Sequence, residues 1–237
     1  MSRLGRGIEG RLLYWRDLRR YRAMADPARY PITGRWPFYR DRFRGAGELG
    51  EYFHQDLWAA RKLYEARPAR HVDVGSRIDG FIAHCLVFME VEVVDIRPLA
   101  HPPKGLRFIQ ADAARMADFA DGSIPSLSSL HAAEHFGLGR YGDAIDPEGH
   151  VTFMRALARV LAPGGRLYFS VPVGRAQKIE FNAHRVLRQD TVREVMGALS
   201  LRSFSLVRGD GTVLEDVGPD AADAVEYGVG LFEFAKP

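Results

Sequence analysis

The spacing of apolar positions changes character near residue 70. Before it, Ile8, Leu12, Trp15 and Leu18 recur every three or four residues, which predicts an amphipathic helix over about 8–24. Residues 26–50 are rich in Pro, Gly and Arg, with Tyr30, Trp36, Phe38, Tyr39 and Phe43 scattered among them. That stretch is expected to be irregular but partly packed, because the aromatic rings need burial. A second helix, over about 51–65, would turn Phe53, Leu57 and Ala60, or Lys62, Leu63 and Tyr64, toward the body, and Pro68 would end it.

After residue 70, short apolar runs alternate with helical periodicity. Strands are predicted over 70–74, 91–95, 106–109, 124–131, 166–171, 201–208 and 227–234. The run at 124–131 is the weakest, since Pro125 opens it and three serines dilute it. Helices are expected over 79–88, 147–161 and 190–199, the middle one closed by Pro163-Gly164-Gly165. Such alternation implies a parallel sheet covered on both faces, and the last two strands add an antiparallel hairpin at its edge. The expected fold class is therefore α/β, a seven-stranded, mostly parallel sheet. A basic helical extension, residues 1–66, would precede a domain of residues 67–237.

Composition narrows the function classes. The 237 residues are 46% hydrophobic and 27% charged, as in a soluble globular protein. Cys85 is the only cysteine, which excludes an internal disulfide and a cysteine metal cluster. No secretory signal and no membrane-spanning run is seen, so a cytoplasmic protein is expected. Residues 1–45 hold twelve arginines against four acids, while the remainder is net acidic. A basic arm of this kind suits a polyanion, an anionic membrane surface in peripheral contact, or simply a solvated face.

Chemistry concentrates where strands end. The run His71-Val72-Asp73-Val74-Gly75-Ser76-Arg77 reads as a buried strand entering an acidic, glycine-containing turn. Asp95 follows Gly75 by 20 residues, at the end of the next strand. That interval lets a carboxylate reach the ribose hydroxyls of a nucleotide-like cofactor held over the first turn. Arg77 stands where a full glycine fingerprint has its second glycine and Asp79 where it has its third, with Gly80 one residue later.

These residues, with Asp112-Ala113, the turn Phe119-Ala120-Asp121-Gly122-Ser123, His131-Ala132-Ala133-Glu134-His135 and Leu161-Ala162-Pro163-Gly164-Gly165, occur in the order seen in class I S-adenosylmethionine-dependent methyltransferases. The chain resembles that superfamily over roughly 70–237. Within it, the phrases at 136–143 and 180–185 look like an uncharacterised methyltransferase-like family often associated with surface-polysaccharide genes. The resemblance implies a Rossmann-like domain with S-adenosyl-L-methionine as cofactor. Asp73, Gly75, Ser76 and Arg77 would face its methionine end, and turn N–H groups would be available to its carboxylate. Asp95 and Ile96 would lie at the ribose, Asp112 and Ala113 at the adenine, and His131 near the sulfonium. Arg77 would either turn outward or bind the methionine carboxylate. Pro125 stands where the superfamily commonly has an acid.

The spacing His131-x-x-Glu134-His135 also matches an inverted zinc-protease motif. Gly137 and Gly139 follow too soon for the long helix that motif requires, so no metal site is expected. At the carboxyl end of the sheet, His131 or His135 could instead act as a general base, oriented by Glu134, with His184 as a second candidate. The loop 137–149 and the segment 172–188 offer Arg140, Tyr141, Asp143, Asn182 and Arg185 to a substrate bearing hydroxyls and a negative charge. The expected reaction is methyl transfer to a hydroxyl, or in second place an amine, of a small polar substrate such as a sugar or sugar phosphate. Two other readings stay open: a non-catalytic binding module on the same fold, and a nucleic-acid methyltransferase guided by the basic arm.

Overall fold

The computed structural model describes residues 3–47 and 49–237 and resolves them into two compact units, Met1–Glu48 and Leu49–Pro237. In the first, helix α1 spans Arg3–Met24 and a single 3-10 turn covers Asp41–Phe43. Its packed face is not the expected one. Ile8, Leu12 and Trp15 are exposed, while Gly10 meets the backbone of Tyr39 so closely that a Cβ would lie 1.7 Å from the Tyr39 carbonyl oxygen. Tyr14 packs edge-on to the Tyr39 ring at 5.6 Å. Absence of a side chain, which a periodicity of apolar residues does not register, set the contact face here.

The second unit begins at Leu49, so helix α2, Glu51–Ala66, belongs with the sheet and not with the N-terminal extension. Lys62 of α2 reaches the buried Glu233 at 3.0 Å, and Arg166 pairs with the same carboxylate. The buried face of α2 is Gln55, Asp56, Ala59, Ala60 and Leu63. Phe53 and Tyr64, expected to point inward, are exposed. Two polar side chains lead the buried face because they have hydrogen-bonding work beneath it.

The strands are β1 (Val72–Val74), β2 (Val91–Asp95), β3 (Leu106–Gln110), β4 (Ile124–Leu130), β5 (Leu161–Val173), β6 (Lys178–Glu180), β7 (His184–Val186), β8 (Ser200–Arg208), β9 (Val213–Leu214) and β10 (Gly228–Ala235). Eight of them form one sheet in the order β3-β2-β1-β4-β5-β10-β8-β9. The pairings from β3 through β5 are parallel, while β10 runs antiparallel to both β5 and β8. The chain therefore has the Rossmann-like, mostly parallel fold with an antiparallel hairpin that its sequence predicts. Within that hairpin the last strand lies between β5 and β8, and a two-residue strand that the sequence did not signal, β9, forms the edge beyond β8. A separate hairpin, β6–β7, occupies the segment expected to be a loop.

Helix α4, Gly149–Val160, lays Phe153, Met154, Leu157 and Val160 on one face of the sheet. It stops where β5 begins at Leu161, because Leu161 already pairs with Ile124. Pro163-Gly164-Gly165 is thus an irregularity inside a strand. A Cβ on Gly165 would sit 2.8 Å from the Ala162 oxygen and 2.9 Å from the Pro125 oxygen. Between β1 and β2 the chain makes a π-helical turn, Ile78–Ile82, and one α-turn, α3 (Ala83–Cys85). Helix α5, Gln189–Val195, precedes β8.

Candidate functional site

The carboxyl ends of β1 and β2 open into a cavity of about 550 Å³, part of it shared with solvent at its mouth. Open α/β sheets bind ligands at this end. Gly75 forms its floor with φ +74°, a conformation that costs a side-chain-bearing residue energy, and an added Cβ would stand 3.0 Å from the Ala132 Cβ. Asp95 at the end of β2, Ile96 just after it, and Asp112 and Ala113 from the turn after β3 line the cavity, together with His131, His135, Tyr141 and Asp143.

Beneath Gly75 runs a buried polar chain that explains the serines of β4. Ser128 Oγ donates to Asp73 Oδ1 at 2.5 Å, Ser76 Oγ donates to the same oxygen at 2.6 Å, and the Ser76 N–H donates to Oδ2 at 3.1 Å. His71 contacts Ser126 through Nδ1 at 2.8 Å and Ser128 through Nε2 at 2.9 Å. Because the one hydroxyl hydrogen of Ser128 goes to Asp73, His71 donates from Nε2 and accepts at Nδ1. Burial holds His71 neutral, its pKa pushed down to about 3. Burial raises Asp73 to about 6, against the lowering pull of its Ser128 and Ser76 hydrogen bonds. Asp73 and Ser76 are therefore framework under the turn and do not line the cavity. The Gly75 N–H donates to the Val94 oxygen at 3.0 Å, so the N–H groups of both Gly75 and Ser76 are engaged within the protein.

Arg77 turns outward. Its guanidinium makes a two-pronged pair with Asp79, at 3.1 and 2.8 Å, and lies over the Tyr52 ring. The next turn comes close to α2: a Cβ on Gly80 would sit 2.1 Å from Asp56 Oδ2. Asp95 is paired as well, with Arg97 two residues on, at 2.9 and 2.6 Å.

His131 follows β4 in a left-handed conformation, φ +52°, and its N–H donates to Ser170. Its Nδ1 is 2.5 Å from Gln55 Oε1, an oxygen that also accepts from Ser170 Oγ at 2.5 Å, while the Gln55 amide nitrogen donates to Asp56 Oδ1 at 3.1 Å. The proton of His131 is therefore on Nδ1. Its buried Nε2 keeps a lone pair with no hydrogen-bond partner among the described residues, and Glu51 Oε1 stands 3.9 Å away. Burial drives the His131 pKa down to about 3. His135 Nδ1 is 2.8 Å from the Ala183 oxygen, and burial, reinforced by Arg140, lowers its pKa to about 4. Glu134 is fully buried, its carboxyl makes no hydrogen bond to another described side chain, and His135 Nε2 stands 3.7 Å from its Oε1; burial raises it to about 8. The expected division of labour is thus inverted. The histidines are poor proton acceptors, and the glutamate is the stronger base.

The residues expected to meet substrate divide. Tyr141 and Asp143 line the cavity, although Asp143 also holds the loop, accepting from the Gly137, Gly139 and Tyr141 N–H groups at 2.8, 3.2 and 3.2 Å. Arg140 donates to the Ala183 oxygen at 2.8 Å. Arg185 is 1% exposed and directs its guanidinium at four main-chain oxygens, those of Glu134, Phe136, Asp146 and Pro147. It is a clamp on the loop and is closed to substrate. Asn182 is exposed at the β6–β7 turn, and His184 stands 3.6 Å from Glu180 on the same hairpin. Sequence reasoning missed Arg97, Gln55, Glu51, Tyr52 and Tyr227. An Arg two residues after the strand-ending Asp95 was a readable signal; the residues of α2 and Tyr227 gave none.

Among the described residues no group of three His, Cys, Asp or Glu side chains could hold a metal ion, and no helix is long and apolar enough to cross a membrane.

Solved structures share this architecture. The 1,6-didemethyltoxoflavin-N1-methyltransferase of Burkholderia thailandensis, with bound 1,6-didemethyltoxoflavin and S-adenosylhomocysteine, is 16% identical at a TM-score of 0.53, over 77% of this chain and 78% of that one. The N-methyltransferase NodS of Bradyrhizobium japonicum, in complex with S-adenosylhomocysteine, is 13% identical at 0.51, over 94% and 98%. The [4+2]-cyclase SpnF is 15% identical at 0.51, over 86% and 84%. The chain has the fold of S-adenosylmethionine-dependent methyltransferases. As a cyclase adopts it too, the fold alone does not decide the chemistry. Residues 111–204, from the Asp112 turn to within β8, match the model of a family described as Caenorhabditis protein of unknown function, DUF268. No curated protein sequence matches the chain.

Proposed function

We propose that this protein transfers a methyl group from S-adenosyl-L-methionine to a small polar substrate. The observation that carries the reading is the convergence of Gly75, Asp95, Ile96, Asp112 and Ala113 on one cavity that His131 and His135 also line. Gly75 keeps the cavity free of a side chain at the turn after β1. These residues fit the cofactor. Asp95 would accept from ribose hydroxyls, sharing its carboxylate with Arg97, and Asp112 would accept from the adenine amine. With the Gly75 and Ser76 N–H groups engaged, the methionine carboxylate would be held by other donors. When bound, the cofactor supplies an electrophilic methyl group on a sulfonium. The protein's part is to position the acceptor in line with it on the His131–His135 wall and to exclude water.

A sugar-phosphate acceptor gains no support from the arginines expected to bind it, since Arg140 and Arg185 are both engaged by main-chain oxygens. One observation favours the alternative of a non-catalytic module: the Asp95–Arg97 pair lies across the ribose position. A single experiment separates the two. Calorimetric titration with S-adenosylhomocysteine should give saturable binding that Asp95→Ala weakens. Absence of binding at millimolar ligand would leave only the module.

A further inference from the structure

Helix α1 of the first unit has two faces, and only one of them is used in packing. Gly10, Tyr14 and Asp17, spaced i, i+4, i+7, meet the rest of the unit: Gly10 lies against the Tyr39 backbone, Tyr14 packs on the Tyr39 ring, and Asp17 pairs with Arg42. Ile8, Leu12 and Trp15 repeat that spacing two positions earlier, which turns their stripe by about 200° to the far side of the helix. They are 61%, 69% and 42% exposed. Nine of the seventeen exposed large hydrophobic side chains among the described residues fall in this unit, about a fifth of the chain. The stripe thus belongs to a regional excess and not to the scatter of single apolar residues that any surface shows.

Arginine borders the stripe on both sides. By the helical repeat Arg11 and Arg22 follow one flank, Arg16 and Arg20 the other, and Arg19 continues its line. All five are exposed. Arg16 pairs with Asp17, whereas Arg11, Arg19, Arg20 and Arg22 have no acidic partner among the described residues. Arg35 lies over the Trp15 ring at 5.7 Å, a further cation at the stripe's edge, and Trp36 beside it in the chain is 85% exposed. Long arginine stems can lie along apolar surface while the guanidinium groups reach phosphate oxygens. A nucleic acid would use those groups and could stack on Trp15, but it offers nothing apolar to Ile8 and Leu12. The interfacial zone of a bilayer offers acyl carbon to the stripe and anionic headgroups to its flanks.

We infer that α1 docks lengthwise on an anionic lipid bilayer, with Ile8, Leu12 and Trp15 at the acyl boundary and the flanking arginines among the headgroups. The helix lies in the interface and does not cross it, since no helix among the described residues is long and apolar enough to span. Two attractions combine. Apolar insertion acts only at contact, while the arginine rows respond to the negative surface potential over about a Debye length. Such attachment is reversible and weakens with salt. It is independent of what the second unit catalyses.

The test mixes full-length protein with vesicles of phosphatidylcholine alone, or of phosphatidylcholine with about one-third phosphatidylserine, and measures bound protein by flotation. Partition onto the anionic vesicles should exceed that onto the neutral ones by about tenfold or more, and should fall as salt is raised. The triple variant Arg11→Gln, Arg19→Gln, Arg22→Gln should lower partition onto anionic vesicles by about tenfold or more. The double variant Ile8→Ser, Leu12→Ser, which leaves every charge in place, should lower it by about fivefold or more. All five side chains are exposed, so an unchanged thermal unfolding curve serves as the control for folding. Equal partition onto both vesicles, or an anionic preference that survives either variant, overturns the inference. Absence of vesicle binding overturns it too. Salt-dependent binding of single-stranded RNA would then assign the arginines to nucleic acid, and self-association lost in Leu12→Ser would assign the stripe to a second copy of the chain.

Discussion

Asp95 and Arg97, both lining the cavity, are joined by three hydrogen bonds: Nε to Oδ1 at 2.9 Å, Nη2 to Oδ2 at 2.6 Å, and the Arg97 N–H to Oδ1 at 2.8 Å. The same guanidinium lies 4.6 Å from the centre of the Tyr141 ring, so it ties the end of β2 to the loop after β4. A ribose diol must share Asp95 with this pair. Arg97→Ala should therefore tighten S-adenosylhomocysteine binding by about three- to tenfold, whereas Asp95→Ala should weaken it by at least about tenfold. Weaker calorimetric binding by Arg97→Ala would instead make Arg97 a ligand contact.

Arg185 has no carboxylate partner among the hydrogen bonds it makes; main-chain oxygens on the loop from Glu134 to Pro147 receive its guanidinium. Replacing it with methionine fills the volume but strands those oxygens. The expected cost is about 3 kcal/mol or more in urea unfolding, with faster proteolysis within 134–147. A loss under about 1 kcal/mol would mean water replaces the clamp.

Glu134 has a pKa of about 8 in the folded protein, against 4.5 for an ordinary glutamate, because burial penalises its charged form. The folded state thus binds the proton more tightly than the unfolded state. Its contribution to stability is fully present below pH 4.5 and is lost as pH rises toward 8. Glu134→Gln, which cannot ionise, should be relatively more stable than the parent at pH 8.5 than at pH 5.5. Thermal unfolding at the two pH values checks this, and parallel shifts would count against it.

Ser128 both donates to Asp73 and accepts from His71, so Ser128→Ala breaks two buried hydrogen bonds at once. A loss of about 1–3 kcal/mol is expected by chemical denaturation. Because that hydroxyl lowers the Asp73 pKa, the variant should also raise it further above about 6, measurable as an upfield or downfield carboxyl titration displaced to higher pH by carbon NMR. An unmoved titration would remove Ser128 from the account of that carboxylate.

Much of the fold was legible because strand ends and turns obey local rules. The left-handed turn at Gly75, the acid closing β2 and the cover helix α4 all follow from residue type and spacing. Side chains acting across distance were not legible. Gln55 and Asp56 interrupt an otherwise apolar face, and only their approach to His131, Ser170 and Gly80 gives the reason. Likewise the serines of β4 look like dilution until His71 and Asp73 stand opposite them. Arg185 was expected at the substrate because it sits in a polar, charged segment suited to an anionic ligand; four carbonyl oxygens converging on one point cannot be read from a linear chain.

Helix α2 lies on the sheet side of the break at Leu49, and it alone furnishes Gln55, the residue that fixes which nitrogen of His131 bears the proton. The chain is thus modular at one boundary and indivisible at the next. A graft or deletion cut before Leu49 keeps Glu51, Tyr52 and Gln55 with His131. One cut at Ala66, where the basic helical extension would naturally be trimmed from sequence, would hand on a Rossmann-like sheet stripped of its proton register.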